Sequence, residues 1–170
     1  LQNGHVFELY VYGTISNIPD GVSIKDANLI IPRQQIDSIK VVNHSNSLGV
    51  FSDLFRYKLL LDKGGWWSDL DAICLRHFDF QYEYVFMKEK GREVENVCNA
   101  IIKVPRGSLV MKYCYEKAAE MIEKGLPIQW GDTGPKLLNQ AVSMFNLKDF
   151  CFPAMYFSPI GYWEINRIFG

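Results

Sequence analysis

What this sequence lacks removes several classes of function before any motif is considered. No apolar run approaches the ~20 residues that a bilayer-crossing helix needs, and the residues after Leu1 do not follow the charged-then-apolar order of a secretory leader. The expectation is a cytoplasmic chain with no integral membrane segment. Peripheral attachment to the inner face of a membrane stays open, although no basic amphipathic helix signals it. Lys and Arg form no cluster, and 18 of them against 19 Asp and Glu leave a formal net charge of −1. A nucleic-acid surface needs a basic face to neutralise phosphates, so none is expected. The 4 cysteines, Cys74, Cys98, Cys114 and Cys151, are widely spaced and include no CxxC pair. That argues against zinc and against a disulfide framework, leaving reduced, mostly buried thiols. His5, His44 and His77 show neither HxH nor HxxxH spacing, so each reads as structural or exposed. There is no internal repeat, low-complexity tract or interdomain linker. With no initiator Met, residues 1–170 read as a single domain that forms part of a longer one.

What is present is a core. Across 170 residues, 48% are apolar and 14% aromatic, enough to bury the interior of one globular domain. Strand and helix signals alternate, which indicates an α/β chain. Residues 5–12 carry apolar side chains on both faces and read as a strand buried on both sides, and turn formers through residues 14–32 indicate connecting structure. Residues 52–63 read as a helix with Ser52 as N-cap and Gly64 at the left-handed stop position. Residues 72–75, 84–87 and 97–104 are short strands that would extend one mixed sheet. Residues 108–124 form an amphipathic helix with Cys114 on its apolar stripe. A last helix runs over 135–145, with Pro135 in its first turn.

The helix over 52–63 has an unusual wheel. At about 100° per residue, Lys58 and Asp62 mark the wet side, while Asp53, Arg56, Tyr57 and Leu60 fall opposite. Two charges therefore face inward, where each needs a partner or a polar ligand. Either Asp53 and Arg56 bond each other, or they line a cavity. The helix feeds through Gly64-Gly65 into Asp69-Leu70-Asp71. Two carboxylates one residue apart are hard oxygen ligands suited to Mg²⁺ or Mn²⁺, which keep positions open for water and diphosphate oxygens. In an extended segment both would point the same way.

The run Phe51-Ser52-Asp53-Leu54-Phe55-Arg56, continuing to Gly64-Gly65-Trp66-Trp67-Ser68-Asp69-Leu70-Asp71, resembles the sugar-binding region of DXD glycosyltransferases. Specifically, it is similar to glycosyltransferase family 32, whose members share an S-D-x-x-R helix, a Gly-Gly-aromatic turn and D-x-D. The large clostridial glucosylating toxins carry a similar segment. Weaker likeness extends from His5-Val6-Phe7-Glu8-Leu9-Tyr10 through Gly131-Asp132-Thr133-Gly134-Pro135 to Phe157-Ser158-Pro159-Ile160, in the order seen in bacterial polysaccharide-synthesis members.

The resemblance implies a GT-A fold: a Rossmann-like mixed β-sheet sandwiched by helices, with the metal motif beyond a strand end. It also implies a first strand ahead of Leu1 and more chain after Gly170. Asp71 would ligate Mn²⁺ or Mg²⁺ directly, and Asp69 would contact the donor's ribose or reach the metal through water. Asp53 and Arg56 would hold donor-sugar hydroxyls and nearby oxygens. The implied reaction moves a hexosyl unit, with retention, from a nucleoside-diphosphate sugar to a glycan or lipid-linked acceptor hydroxyl. A UDP-sugar is the favoured donor.

Other residues are open to two readings. Of Trp66 and Trp67, Trp67 could stack on base or sugar, or both could pack beneath the metal loop. The segment Gly131-Asp132-Thr133-Gly134-Pro135 precedes a helix, where backbone N–H groups favour anions. It could close over diphosphate or acceptor through Asp132 and Gly134, or simply cap the helix. Trp130 and the aromatic cluster over 156–163 suit an acceptor platform or core packing. Two rival functions also remain: a DxD phosphohydrolase, and a truncated, non-catalytic nucleotide-sugar-binding domain.

Overall fold

In the computed structural model, which describes residues 3–39 and 47–167, strand β1 (Phe7–Val11) lies parallel to β2 (Val22–Asp26). Strand β1 is shorter than expected and is not buried on both sides, with Val6 ahead of it 85% exposed. Among the described residues it pairs with β2 alone. Strand β2 falls in the stretch expected to be connecting structure. Only Val22 and Ile24 give it an alternating pattern, too brief a signal beside the turn at Gly21, whose φ is +85°. Asp26 then caps a 3-10 turn by accepting the Asn28 N–H at 2.8 Å.

After the short helix α1 (Gln34–Ser38), helix α2 (Ser47–Lys63) forms the backbone of the domain. It begins earlier than expected, so Ser52 is an interior residue and not its cap. Val50 and Phe51 carry the buried stripe of Leu54 and Phe55 back beyond the expected start. The inward face is the one the wheel indicated: Arg56, Tyr57 and Leu60 are buried. Burial of a side chain such as Leu60 stabilises by about 1.5–3 kcal/mol. Lys58 and Asp62, on the wet side, pair with each other at 2.6 Å.

Beyond α2, Gly65–Ser68 is a strand, β3, where only a turn was expected. The expected strand over 72–75 is instead exposed coil. The two tryptophans favour extended backbone, and β3 pairs antiparallel with β5 (Asn96–Val104) through Trp67 opposite Ile102. Strand β4 (Val85–Glu89) pairs with the other edge of β5, and the two-residue β6 (Cys151–Phe152) runs parallel to β4. The described residues therefore form two sheets, β1-β2 and β3-β5-β4-β6, and not the single mixed sheet expected. Phe55 of α2 touches both, with ring centroids 6.1 Å from Tyr10, 6.2 Å from Tyr12 and 6.5 Å from Trp67.

Helices α3 (Leu109–Glu123) and α4 (Pro135–Met144) match the periodicity of the sequence. Met111, Cys114 and Ala118 of α3 are fully buried, as are Leu138 and Ala141 of α4. Burial pushes the Cys114 thiol up to about 12 and the Cys98 thiol up to about 11, so both are protonated at neutral pH. The four thiols are unpaired, but only Cys114 is fully buried and Cys74 is exposed. No helix among the described residues is long and apolar enough to cross a membrane.

Gly64 makes the turn from α2 to β3 possible. Its φ is +68°, and a Cβ there would lie 2.9 Å from the Pro105 carbonyl carbon and press on the Arg106 backbone nitrogen. Gly65 also has positive φ, at +86°, but a Cβ there meets nothing within 4 Å. Backbone strain alone costs roughly 1–2 kcal/mol for a non-glycine residue in this region. Urea unfolding should therefore show Gly65→Ala losing about that much and Gly64→Ala losing clearly more. Equal losses would remove the packing of the turn against the β5–α3 connection as its cause.

Candidate functional site

The end of β3, the inward face of α2 and the middle of β5 bring three charged side chains together. Arg56 is the centre, with its side chain only 6% exposed. Its Nη1 donates to the Asn99 carbonyl oxygen at 2.7 Å and lies 3.6 Å from Asp53 Oδ1. Its Nη2 donates to Asp69 Oδ1 at 3.0 Å. The guanidinium carbon stands 4.9 Å from the Trp67 ring centroid, within cation–π range. Its Nε is buried with no hydrogen-bond partner among the described residues. Of the two alternatives for the wheel, the first is the one seen: Asp53 and Arg56 pair with each other, within a larger polar cluster.

Asp53 is held at both oxygens. The Asn99 amide donates to Oδ1 at 2.7 Å, and the Thr133 hydroxyl donates to Oδ2 at 2.9 Å. Burial pushes the Asp53 carboxyl above its ordinary value, while Arg56, Thr133 and Asn99 pull it back by favouring the ionised form. Neither Asn99 nor Thr133 was singled out from the sequence. Asn99 had a signal, since it is a polar side chain between the apolar Val97 and Ile101 on one face of β5, and it is buried there. Thr133 had none, because the motif around it drew attention to its acidic neighbour.

Asp69 and Asp71 have different surroundings. Asp69 follows the last residue of β3, and its N–H donates to the Ala100 carbonyl at 2.9 Å, prolonging the ladder by one bond. Its Oδ1 takes two hydrogen bonds, from Arg56 and from Trp67 Nε1 at 2.7 Å. The chain then turns, with the Ala72 N–H 3.4 Å from the Asp69 carbonyl oxygen. Strand alternation therefore does not relate the two acids, contrary to the extended geometry expected of them. Asp71 is exposed, and its carboxylate has no partner among the described residues.

That difference bears on a metal. Among the described residues, no group of three or more His, Cys, Asp or Glu is placed to hold an ion. Mg²⁺ is commonly held by one or two carboxylates together with substrate phosphates, and Mn²⁺ favours the same oxygen donors. An unpartnered carboxylate at Asp71, beside the half-engaged Asp69, fits that arrangement.

The tryptophans separate as alternate strand residues should. Trp67 faces the cluster, while Trp66 packs on the other side against Phe78 at 4.8 Å and Phe80 at 5.7 Å. Phe80 in turn contacts Phe152 at 4.9 Å and Phe157 at 5.4 Å, so Phe157 belongs to aromatic packing. Trp130 is exposed.

The loop before α4 also divides. Gly134 lies against the cluster: a Cβ there would fall 2.9 Å from Asp53 Oδ2 and 3.1 Å from the Asn99 amide nitrogen. Tyr57 Oη donates to the Gly134 carbonyl at 3.1 Å. Asp132 is not drawn in. It accepts from Lys136 Nζ at 2.9 Å and from the Gln129 N–H at 2.8 Å. Burial opposes its ionised form, but those two donors outweigh burial and hold its carboxyl below the ordinary value. Asp132 thus serves the capping loop.

His5 and His77 stack at 4.4 Å, and His5 Nε2 accepts the Phe78 N–H at 2.9 Å. They tie the start of the chain to the segment after Asp71. His44 lies outside the described residues.

Comparison with known proteins agrees with this geometry. No curated protein matches the chain. Seven chains of solved structures do. One is the PaToxG glycosyltransferase, at 21% identity and a TM-score of 0.52, over 74% of this chain and 47% of that one. The chain therefore spans about half the length of that structure, and the likeness establishes a shared GT-A-like fold. The family described as "Glycosyltransferase sugar-binding region containing DXD motif" matches residues 9–101. That span runs from β1 into β5 and includes Asp53, Arg56, Asp69 and Asp71, so the chain belongs to this family of DXD glycosyltransferase domains.

Proposed function

We propose that this domain binds a nucleoside-diphosphate sugar, a UDP-sugar by preference, and moves its hexosyl unit with retention to a hydroxyl of a glycan or lipid-linked acceptor. The carrying observation is the convergence of Asp53, Arg56 and Asp69 on one largely buried network, with Asp71, unpartnered among the described residues, two residues beyond Asp69. Three carboxylates against one guanidinium leave an excess of negative charge, which favours a divalent cation together with polar ligands. The S-D-x-x-R helix and the Gly-Gly-aromatic turn support a family 32-like assignment. In this reading residues 1–170 act as one glycosyltransferase domain.

The roles follow from the environments. Asp71, exposed and unpartnered, would hold Mn²⁺ or Mg²⁺. Such an ion, when bound, neutralises charge developing on the leaving diphosphate. Asp69 keeps Oδ2 free for the donor ribose, because Arg56 and Trp67 occupy Oδ1. Asp53 accepts a sugar hydroxyl, and Arg56 fixes both acids while adding positive charge nearby. Trp67 covers the guanidinium, and Gly134 allows the loop to approach without filling the site. In the transfer, the anomeric carbon's bond to the diphosphate oxygen breaks and its bond to the acceptor oxygen forms. The acceptor's proton passes to the departing diphosphate, so no covalent enzyme nucleophile is required.

Asp71→Asn keeps shape and removes the charge that would hold the cation. It should lower Mn²⁺-dependent donor turnover by at least ~100-fold, with an unchanged thermal unfolding curve. Chelation of the wild type should abolish turnover, and Mn²⁺ should restore it. A folded variant with wild-type turnover would refute the role of Asp71.

Arg56→Met removes the one cation between two carboxylates and should cost about 3–5 kcal/mol at neutral pH. Asp53 would then be buried without its main counter-charge, and its carboxyl would rise further. A folded-state value above the unfolded one means the native state binds the proton more tightly, so stability falls as pH rises through that range. The gap between wild type and Arg56→Met, measured by urea unfolding, should therefore narrow on going from pH 7 to pH 4. A constant gap would mean that Arg56 stabilises by packing alone.

A further inference from the structure

We infer that Thr133 is a positioning residue for Asp53, orienting the carboxylate that meets the donor sugar, an inference that rests on the donor-binding reading above. Its side chain is buried, and its hydroxyl donates to Asp53 Oδ2 at 2.9 Å across 80 residues of sequence.

The need for such a residue comes from how a carboxylate moves. Its last torsion is broad, so the ion pair with Arg56 at 3.6 Å does not by itself fix where the oxygens point. Asn99 holds Oδ1, and Thr133 alone among the described residues holds Oδ2. A hydroxyl bonded to an ionised carboxylate is a charge-assisted contact, stronger and more directional than a neutral one. With both ends held, the remaining lone pairs have one orientation.

The loop's own architecture argues that this hydroxyl acts on Asp53 and not on the loop. The segment from Gln129 to Lys136 is already closed by several bonds. The Gly134 and Lys136 N–H groups both reach the Gly131 carbonyl at 3.1 Å, Asp132 ties Gln129 to Lys136, and Tyr57 holds the Gly134 carbonyl at 3.1 Å. Removing one hydroxyl leaves all of these in place. Gly134 completes the arrangement, since any Cβ there would collide with the carboxylate that Thr133 holds.

Thr133→Val keeps the branched shape and deletes the donor. Steady-state donor hydrolysis with Mn²⁺, alongside thermal unfolding, should show kcat/KM reduced roughly 10-fold in Thr133→Val, mostly through KM. Thr133→Ser should restore it to within about 2-fold. In an Asp53→Ala background, Thr133→Val should cause no further loss, because the group it orients is gone. If the valine variant does not fold, Thr133→Ser against Thr133→Ala makes the same comparison. A folded Thr133→Val enzyme with wild-type kcat/KM, or an undiminished loss in the Asp53→Ala background, would overturn the inference while leaving the donor reading intact. A wild type that turns over no nucleotide sugar would overturn the donor reading, and this inference with it.

Discussion

Arg56 is the hinge of the structure's chemistry, because one guanidinium bonds to three separate parts of the chain. It reaches Asp53 within α2, the Asn99 carbonyl of β5 and Asp69 beyond the end of β3. A buried guanidinium without such partners would be strongly destabilising. With them it sets the distance between the helix and the strand end. It lies between two carboxylates whose mutual repulsion it offsets, so the arrangement that stabilises the fold also shapes the site.

The backbone supplies what the charges require. Gly64 ends α2 in a left-handed conformation against the β5–α3 connection, and this turn delivers Trp67 and Asp69 to the face where Arg56 waits. Trp67 then has two tasks, covering the guanidinium and donating to the same Asp69 oxygen. On the far side, Tyr57 and Gly134 bring the loop before α4 onto Asp53. Asp71 is left outside this network, exposed and without a partner among the described residues. A cluster whose Asp53 and Asp69 are oriented by bonded neighbours, beside an exposed Asp71, suits a ligand that brings its own phosphates and cation.

The parts of this picture legible in the sequence were those governed by local periodicity. The wheel of α2 correctly turned Asp53, Arg56, Tyr57 and Leu60 inward, because a helix face is set by spacing alone. The stripes of α3 and α4 were equally plain. The pairing partners were not legible: β3 was hidden by Gly64 before it and Gly65 at its start, and β2 offered only two alternating apolar residues. Asn99 and Thr133 reach Asp53 from 46 and 80 residues away, and no local pattern encodes contacts of that range. At Asp132 the sequence allowed two readings, and the structure adds a partner four residues on, Lys136 at 2.9 Å.

Membership of the DXD glycosyltransferase family and a GT-A-like fold make the central claim a chemical one: the cluster around Arg56 recognises an activated sugar with a divalent cation. The most direct measurement is a donor-hydrolysis screen of the protein across UDP- and GDP-sugars with Mn²⁺, reading both nucleoside diphosphate and inorganic phosphate. The account predicts Mn²⁺-dependent release of nucleoside diphosphate, strongest with a UDP-sugar. Release of inorganic phosphate, or no nucleoside diphosphate from any donor, would contradict it.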